Sequence, residues 1–312
     1  MRISRKKPLF PATSQRPGFT LMEVMAATAV LALLLSITVQ ITTQTDVAIR
    51  SSERQMKVAA EARTALDRFE ADFSTAMLTA GATALHYNNI ASTPNSAIRF
   101  ISLSRARKTA ETLQPRGAII GYGINGPEMR LGALDLPEGA FVRGDGRARF
   151  SGQNSSFADV FKNLSDMPPP AMNWESLGDG LLRFHISYVL DNGDIVQTPP
   201  EYSMISAQTE QPVSFLNGLS TPGWTPVAFA KENAPPASGR YVVALKVAIA
   251  GASADVIEQA RNTNNLDNAL NALGTPGPGE TALKVWESNL TNIDFPPLRQ
   301  SIRFFQRTIP IP

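Results

Sequence analysis

The hydrophobic pattern changes its period twice along the chain. Residues 24–39 carry no charged side chain, and residues 19–22 extend this apolar run across one carboxylate, Glu23. About 20 apolar residues in a row are enough for a helix to cross a bilayer core, so residues 19–41 are expected to span a membrane. From 47 to 77 there is no Pro or Gly, and Ala, Arg, Glu, Lys and Leu are frequent, all good helix formers. In this stretch the apolar positions become periodic. Ala62, Leu66, Phe69, Phe73 and Met77 recur at steps of three and four, which lines them on one helical face. The pattern predicts a single helix from Phe19 to near Ala80, stopped by Gly81, of about 60 residues and roughly 90 Å. Its half over residues 42–80 would lay the Leu66/Phe69/Phe73 stripe on a globular domain. A coiled-coil seam would need the repeat to persist over more heptads.

Beyond residue 81 the period drops towards two, the signature of strands. Residues 97–103 alternate apolar and polar, and residues 117–124 and 131–142 read as a hairpin pair. The clearest strand is 181–190, followed by Asp191-Asn-Gly-Asp194, an Asn-Gly turn that would send residues 195–197 back as the return strand. Residues 240–249 are apolar enough for a central strand. Met167-Pro-Pro-Pro170 and residues 234–239 read as connectors, and 199–236, rich in Pro, Ser, Thr and Gly, reads as a long loop or insertion. Residues 253–273 read as a helix weakened at Asn262 to Asn265 and ended by the Gly/Pro run 274–279, residues 281–290 as a further short helix, and residues 298–312 as a strand or edge segment. The expectation for residues 81–312 is an α+β domain with an antiparallel sheet.

Charge separates the first 18 residues from the rest. Arg2, Arg5, Lys6, Lys7 and Arg16 face no acid there, and the whole-chain net charge of +2 becomes −3 once this +5 segment is removed. The basic balance therefore belongs to the leader and argues for retention on the cytoplasmic side of a membrane. No basic patch with interleaved aromatics follows, so no nucleic-acid partner is expected.

Several chemistries are excluded or weakly supported. With no Cys, disulfide and thiolate sites are impossible. The two histidines, His86 and His185, are too few for a zinc site. His185 falls inside the strand 181–190 and is read as a packed strand residue, His86 as a loop residue. No Gly-x-Ser-x-Gly occurs. Gly121-Tyr-Gly-Ile-Asn-Gly126 has dinucleotide spacing but is followed by Pro127 where a helix N-terminus would be needed, so it is read as a glycine-rich hairpin. Asp191, Asn192 and Asp194 could offer oxygens to calcium, though a plain turn accounts for them, as it does for Asp145. Catalytic residues, cofactor and metal are all expected to be absent.

The junction between leader and apolar run carries the most specific signal. A secretory signal peptide would need small residues after its apolar core, but Gln40-Ile-Thr-Thr-Gln-Thr-Asp46 follows instead. Arg16-Pro-Gly-Phe-Thr-Leu-Met-Glu-Val-Met25 resembles the processing site of type IV prepilins and pseudopilins. The resemblance covers Arg16 to about Leu35. It implies cleavage by a prepilin peptidase between Gly18 and Phe19, N-methylation of Phe19, and retention of the helix. Glu23, fifth from the new terminus, would then pair with the amine of a neighbouring subunit. A carboxylate within a bilayer costs about 2.5–3.5 kcal/mol, which a partner reduces; the alternative is that Glu23 lies near the helix end and reaches headgroup water. Leu66-Asp-Arg-Phe-Glu-Ala-Asp-Phe73 is similar to the segment before the first strand in the larger J-type pseudopilins and W-type minor pilins. The chain's close, with Tyr241-Val-Val-Ala-Leu245 and the prepilin start, resembles the prepilin-like cassette protein C family of Verrucomicrobia.

These resemblances imply a pilin-like α+β fold with loop and helical insertions, and a non-enzymatic minor pilin or pseudopilin. It would be a single-pass inner-membrane protein with its C-terminal domain in the periplasm or on a cell-surface filament. Its partners would be prepilin peptidase, other pilins through the N-terminal helix, and membrane lipid. The alternative is a single-pass, membrane-anchored periplasmic binding module that does not polymerise.

Overall fold

The computed structural model describes residues 19–76, 84–88, 95–102, 118–125, 128–135, 141–144, 147–150, 173–198, 224–227 and 240–311. The chain divides into two units, residues 1–53 and 54–312. A continuous helix, α1 (Leu21–Ser74), runs through the boundary.

In the first unit every described residue, 19–53, is exposed. The threonines that interrupt its apolar surface return their hydroxyls to the helix. Thr28 donates to the Met25 carbonyl at 2.9 Å, Thr38 to Leu34 at 2.8 Å and Thr42 to Thr38 at 2.9 Å. These threonine hydroxyls are therefore satisfied within the helix, as an apolar medium requires.

In the second unit α1 turns one face inward. Val58, Ala62, Ala65, Leu66, Phe69, Asp72 and Phe73 are buried, which includes the expected stripe as far as Phe73. The helix ends at Ser74, short of the expected Ala80. Ser74 and Thr75 bond back to the carbonyls of Ala71 and Asp72 at 2.8 and 3.0 Å, and the Ala76 amide closes a tight turn on Phe73 at 3.0 Å. Such hydroxyls compete with the helical ladder, and Ala76 is captured by a bridge to Ser102. Met77 and Gly81 lie outside the described residues.

Two antiparallel sheets meet α1. The larger contains β1 (Ala84–Asn88), β2 (Ser96–Ser102), β3 (Ala118–Asn125), β4 (Glu128–Asp135), β7 (Asn173–Gly178) and β10 (Trp224–Val227), in the order β10-β1-β2-β3-β4-β7. The smaller contains β8 (Leu181–Leu190), β9 (Ile195–Val196), β11 (Val242–Gly251) and β12 (Arg303–Pro310), in the order β12-β11-β8-β9. A separate hairpin joins β5 (Phe141–Gly144) to β6 (Arg147–Phe150). β9 covers only the end of β8, and the start of β2 seals part of the remaining edge. The amides of Phe184 and Ile186 donate to the Asn95 side-chain oxygen at 3.2 Å and the Ser96 hydroxyl at 3.3 Å.

The core between α1 and the sheets is aromatic. Phe69 lies 4.9 Å from Tyr122 and Phe73 lies 5.3 Å from Phe100, ring centre to ring centre, both edge-on, the favoured geometry for such pairs. A second core lies on the other face of the smaller sheet. There Leu182, Ala248 and Ala250 meet Trp286 and the helices α2 (Ala254–Asn262), α3 (Leu266–Ala272), α4 (Ala282–Asn289) and α5 (Pro296–Ser301).

The break between α2 and α3 falls at the expected asparagines, with Asn264 in the left-handed region at φ 54°. Other expectations need correction. The expected loop 199–236 contains β10, and His86 stands in β1 rather than a loop. Both segments are strands because they pair with each other, His86 opposite Thr225, a long-range match that neither shows alone. The expected strand 131–142 is β4, ending at Asp135, and then the separate β5. Residues 298–301 belong to α5, initiated by Pro296, whose fixed φ suits a first helical turn; the terminal strand follows. Gly121 and Gly123 lie in β3, paired with Gly132 and Arg130 of β4, a hairpin and not a phosphate loop. Residues 167–170 and 234–239, Gly126 and Asp145 lie outside the described residues.

Candidate functional site

The first turn of α1 is built by Thr20 and Glu23. The Thr20 amide donates to Glu23 Oε2 at 2.9 Å, the Thr20 hydroxyl to the same oxygen at 3.2 Å, and the Glu23 amide to Thr20 Oγ1 at 3.2 Å. This is a reciprocal capping box, Thr at the N-cap and Glu three residues on. It satisfies amides that a helix start leaves open, and it holds the carboxylate at the positive end of the helix dipole. Both residues are exposed, as is Phe19 at 87%. Gly18 lies outside the described residues. The sequence reading singled out Glu23 but missed Thr20, although Thr20-Leu-Met-Glu23 spells the box.

Downstream, Leu31, Leu33, Leu34, Leu35 and Ile37 are all exposed. Among the described residues, α1 is long and apolar enough to cross a membrane. Residues 14–39 match the family described as the prokaryotic N-terminal methylation motif. The chain carries a prepilin-type methylation motif. The match contains Gly18, Phe19, Thr20 and Glu23, so the capping box lies inside the methylation motif. No curated protein matches the sequence. Among solved structures, the chain is similar to a type IV-like pilin from Thermus thermophilus, with 13% identity over 80% of this chain and 93% of that one, TM-score 0.36. It is similar to a binary complex of two pseudopilins from the type 2 secretion system of Vibrio vulnificus, with 11% identity, 64% and 86% coverage and TM-score 0.30. A further likeness is to the GspK-GspI-GspJ complex of the enterotoxigenic Escherichia coli type 2 secretion system, with 10% identity, 61% and 87% coverage and TM-score 0.28.

In the second unit, three glycines seat the start of the buried part of α1. A Cβ on Gly251 would stand 2.8 Å from Val58, and one on Gly178 2.8 Å from the Glu61 carboxylate. The Gly180 amide donates to Glu61 Oε2 at 3.2 Å. Further along, Asp72 is buried because the Tyr122 hydroxyl donates to it at 2.6 Å and Arg68 lies 3.5 Å away.

The other candidates resolve into structure. His185 is buried, with Nε2 2.8 Å from Gln197 Oε1 and Nδ1 3.4 Å from the Ser96 hydroxyl. The Ser96–His185 contact has an amide where a hydrolytic triad would place a carboxylate. Burial pushes the His185 pKa down to about 4, offset in part by the Gln197 hydrogen bond, and the nearby Arg183 lowers it further. In the turn after β8, Asp194 is occupied by Asn192 and by Arg240 at 3.2 Å, and Gly193 adopts φ 86°.

Proposed function

We propose that this chain is a minor pilin- or pseudopilin-like structural subunit, cut by a prepilin peptidase after Gly18 and assembled through α1 into a type IV pilus, a type II secretion-like filament or its tip. The methylation motif carries this reading, because it sits directly on a helix that is apolar, exposed and long enough to span a bilayer. Cleavage would remove the five leader cations and create an amine on Phe19, the target of methylation, one residue before the N-cap Thr20. The leader charge supports an N-terminus in the cytoplasm and residues after the span in the periplasm. Glu23 is the assembly residue. Its capping bonds present it at the helix start, and the amine of a neighbouring subunit offers a charged partner that relieves its burial in lipid. The size of the second unit favours a minor or tip position, since large heads crowd a helical shaft; this step is by analogy.

Replacing the assembly residue tests this reading. Glu23→Ala should leave cleavage after Gly18 intact, because the bond is set by Gly18 and Phe19, and should abolish incorporation into filaments measured by shearing and immunoblotting. Normal incorporation of the Glu23→Ala protein would instead leave a membrane-anchored periplasmic module that does not use this pairing.

A further inference from the structure

A cavity of about 340 Å³ lies within the second unit, between α1 and the start of α2. Arg54, Lys57 and Glu61 line it from α1, Ser253 and Asp255 from α2, and Gly180 from the turn before β8. A Cβ on Gly180 would stand 3.0 Å from the Glu61 carboxylate and 3.4 Å from Val58, both in the wall, so the glycine keeps this space clear of a side chain.

The polar groups in these walls are mostly donors. α2 is nine residues long and Ser253 stands at its N-cap. The Ser253 carbonyl receives the Val256 and Ile257 amides, both at 3.0 Å. Its side chain caps nothing, although a serine in this place ordinarily accepts an amide of the first turn. Ser253 is only 7% exposed, and its hydroxyl, in the cavity wall, has no hydrogen-bond partner among the described residues. The Ala254 and Asp255 amides lack a backbone acceptor as well, as the first amides of a helix do until something outside supplies one. The two acids in the walls are already engaged. Glu61 Oε2 accepts the Gly180 amide at 3.2 Å and Glu61 Oε1 lies 3.7 Å from Lys57, while Asp255 Oδ2 lies 3.1 Å from Arg54. Both cations are more than half exposed and keep further N–H groups to donate.

We propose that this cavity binds a small oxyanion, a phosphate or phosphate ester, held by the Ser253 hydroxyl and the Ala254 and Asp255 amides with Arg54 and Lys57 at the rim. Such a group only accepts, which matches a wall with a surplus of donors. Its charge is favoured at the positive end of the α2 dipole. The Asp255 and Glu61 carboxylates limit the affinity, Asp255 also by competing for Arg54. The same chemistry belongs to a free phosphate and to a phospholipid headgroup, and one wall is α1, the helix that carries the candidate membrane span.

Amide NMR of the full chain in a maltoside detergent free of phosphate tests the site. Inorganic phosphate, added against chloride of matched ionic strength, should shift the Ala254 and Asp255 amides saturably. The Lys284 amide at the start of α4 is a control, because Thr281 Oγ1 already accepts it at 3.3 Å, and it should not move. Ser253→Ala should weaken binding on the order of 10-fold. Its spectrum should otherwise match the wild type, since the hydroxyl holds nothing else in place. A second arm places the chain in nanodiscs containing phosphatidylglycerol, with no free phosphate. Shifts of Ala254 and Asp255 with inorganic phosphate identify a soluble phosphate as a ligand, and the same shifts in the nanodiscs identify a lipid headgroup. No saturable shift in either arm overturns the site on the wild-type protein alone. Ser253→Ala titrating like the wild type also overturns it, leaving a cleft filled by water.

Discussion

Two carboxylates, Glu23 and Asp72, are each held by a specific partner. Glu23 was legible in the sequence because a charge inside an apolar run has no ordinary explanation. Thr20 was legible only as a spacing, since threonine at a helix start is common. Asp72 was hidden, because an acid on an amphipathic helix normally marks the solvent face; only the fold brings the Tyr122 hydroxyl of β3 to it. Burial, and the Asp72 carboxylate beside it, push the Tyr122 phenol far above its ordinary value, so it stays a donor at any pH where the protein is folded. Tyr122→Phe would leave Asp72 with Arg68 alone. The expected loss is about 1–3 kcal/mol, read as a lower urea midpoint for the unfolding of the second unit.

Among the elements, those with a strong local signal were read with little error. β8 alternates apolar residues with Arg183, His185 and Ser187, β11 is a nearly continuous apolar run, and both fall within two residues of the expected bounds. β1, β7 and β10 were missed. They are short, and pairing with distant strands makes them strands. The end of α1 was misplaced because helix propensity continues past Ser74, while the bridge from Ala76 to Ser102 draws the chain out of the helix. The glycine seat was equally invisible, since it joins Gly178, Gly180 and Gly251 around Val58 and Glu61. A Cβ at Gly180 would stand 2.7 Å from the Ala252 carbonyl and 3.0 Å from the Glu61 carboxylate. The first of these is backbone and cannot swing aside. Gly180→Ala should therefore destabilise the second unit by about 1–3 kcal/mol, seen as a drop in the urea midpoint, with cysteine labelling introduced at Val58 becoming faster.

For the molecule as a whole, the antiparallel α+β architecture was read from the alternating strands and the Asn-Gly turn, and the candidate membrane-spanning helix from an apolar run interrupted by Glu23 alone. The proposed role followed from one short junction, where a cationic leader meets an apolar helix bearing a single acid. The second unit contributes a scaffold and two cores. The central claim is that the chain is cut after Gly18 and modified at Phe19. Mass spectrometry of the N-terminal peptide from membranes, with and without prepilin peptidase, tests it most directly. The account predicts a peptide beginning at Phe19 with one added methyl group, present only with the peptidase. An intact Met1 start in the presence of the peptidase, or a terminus downstream of Val39, would contradict it.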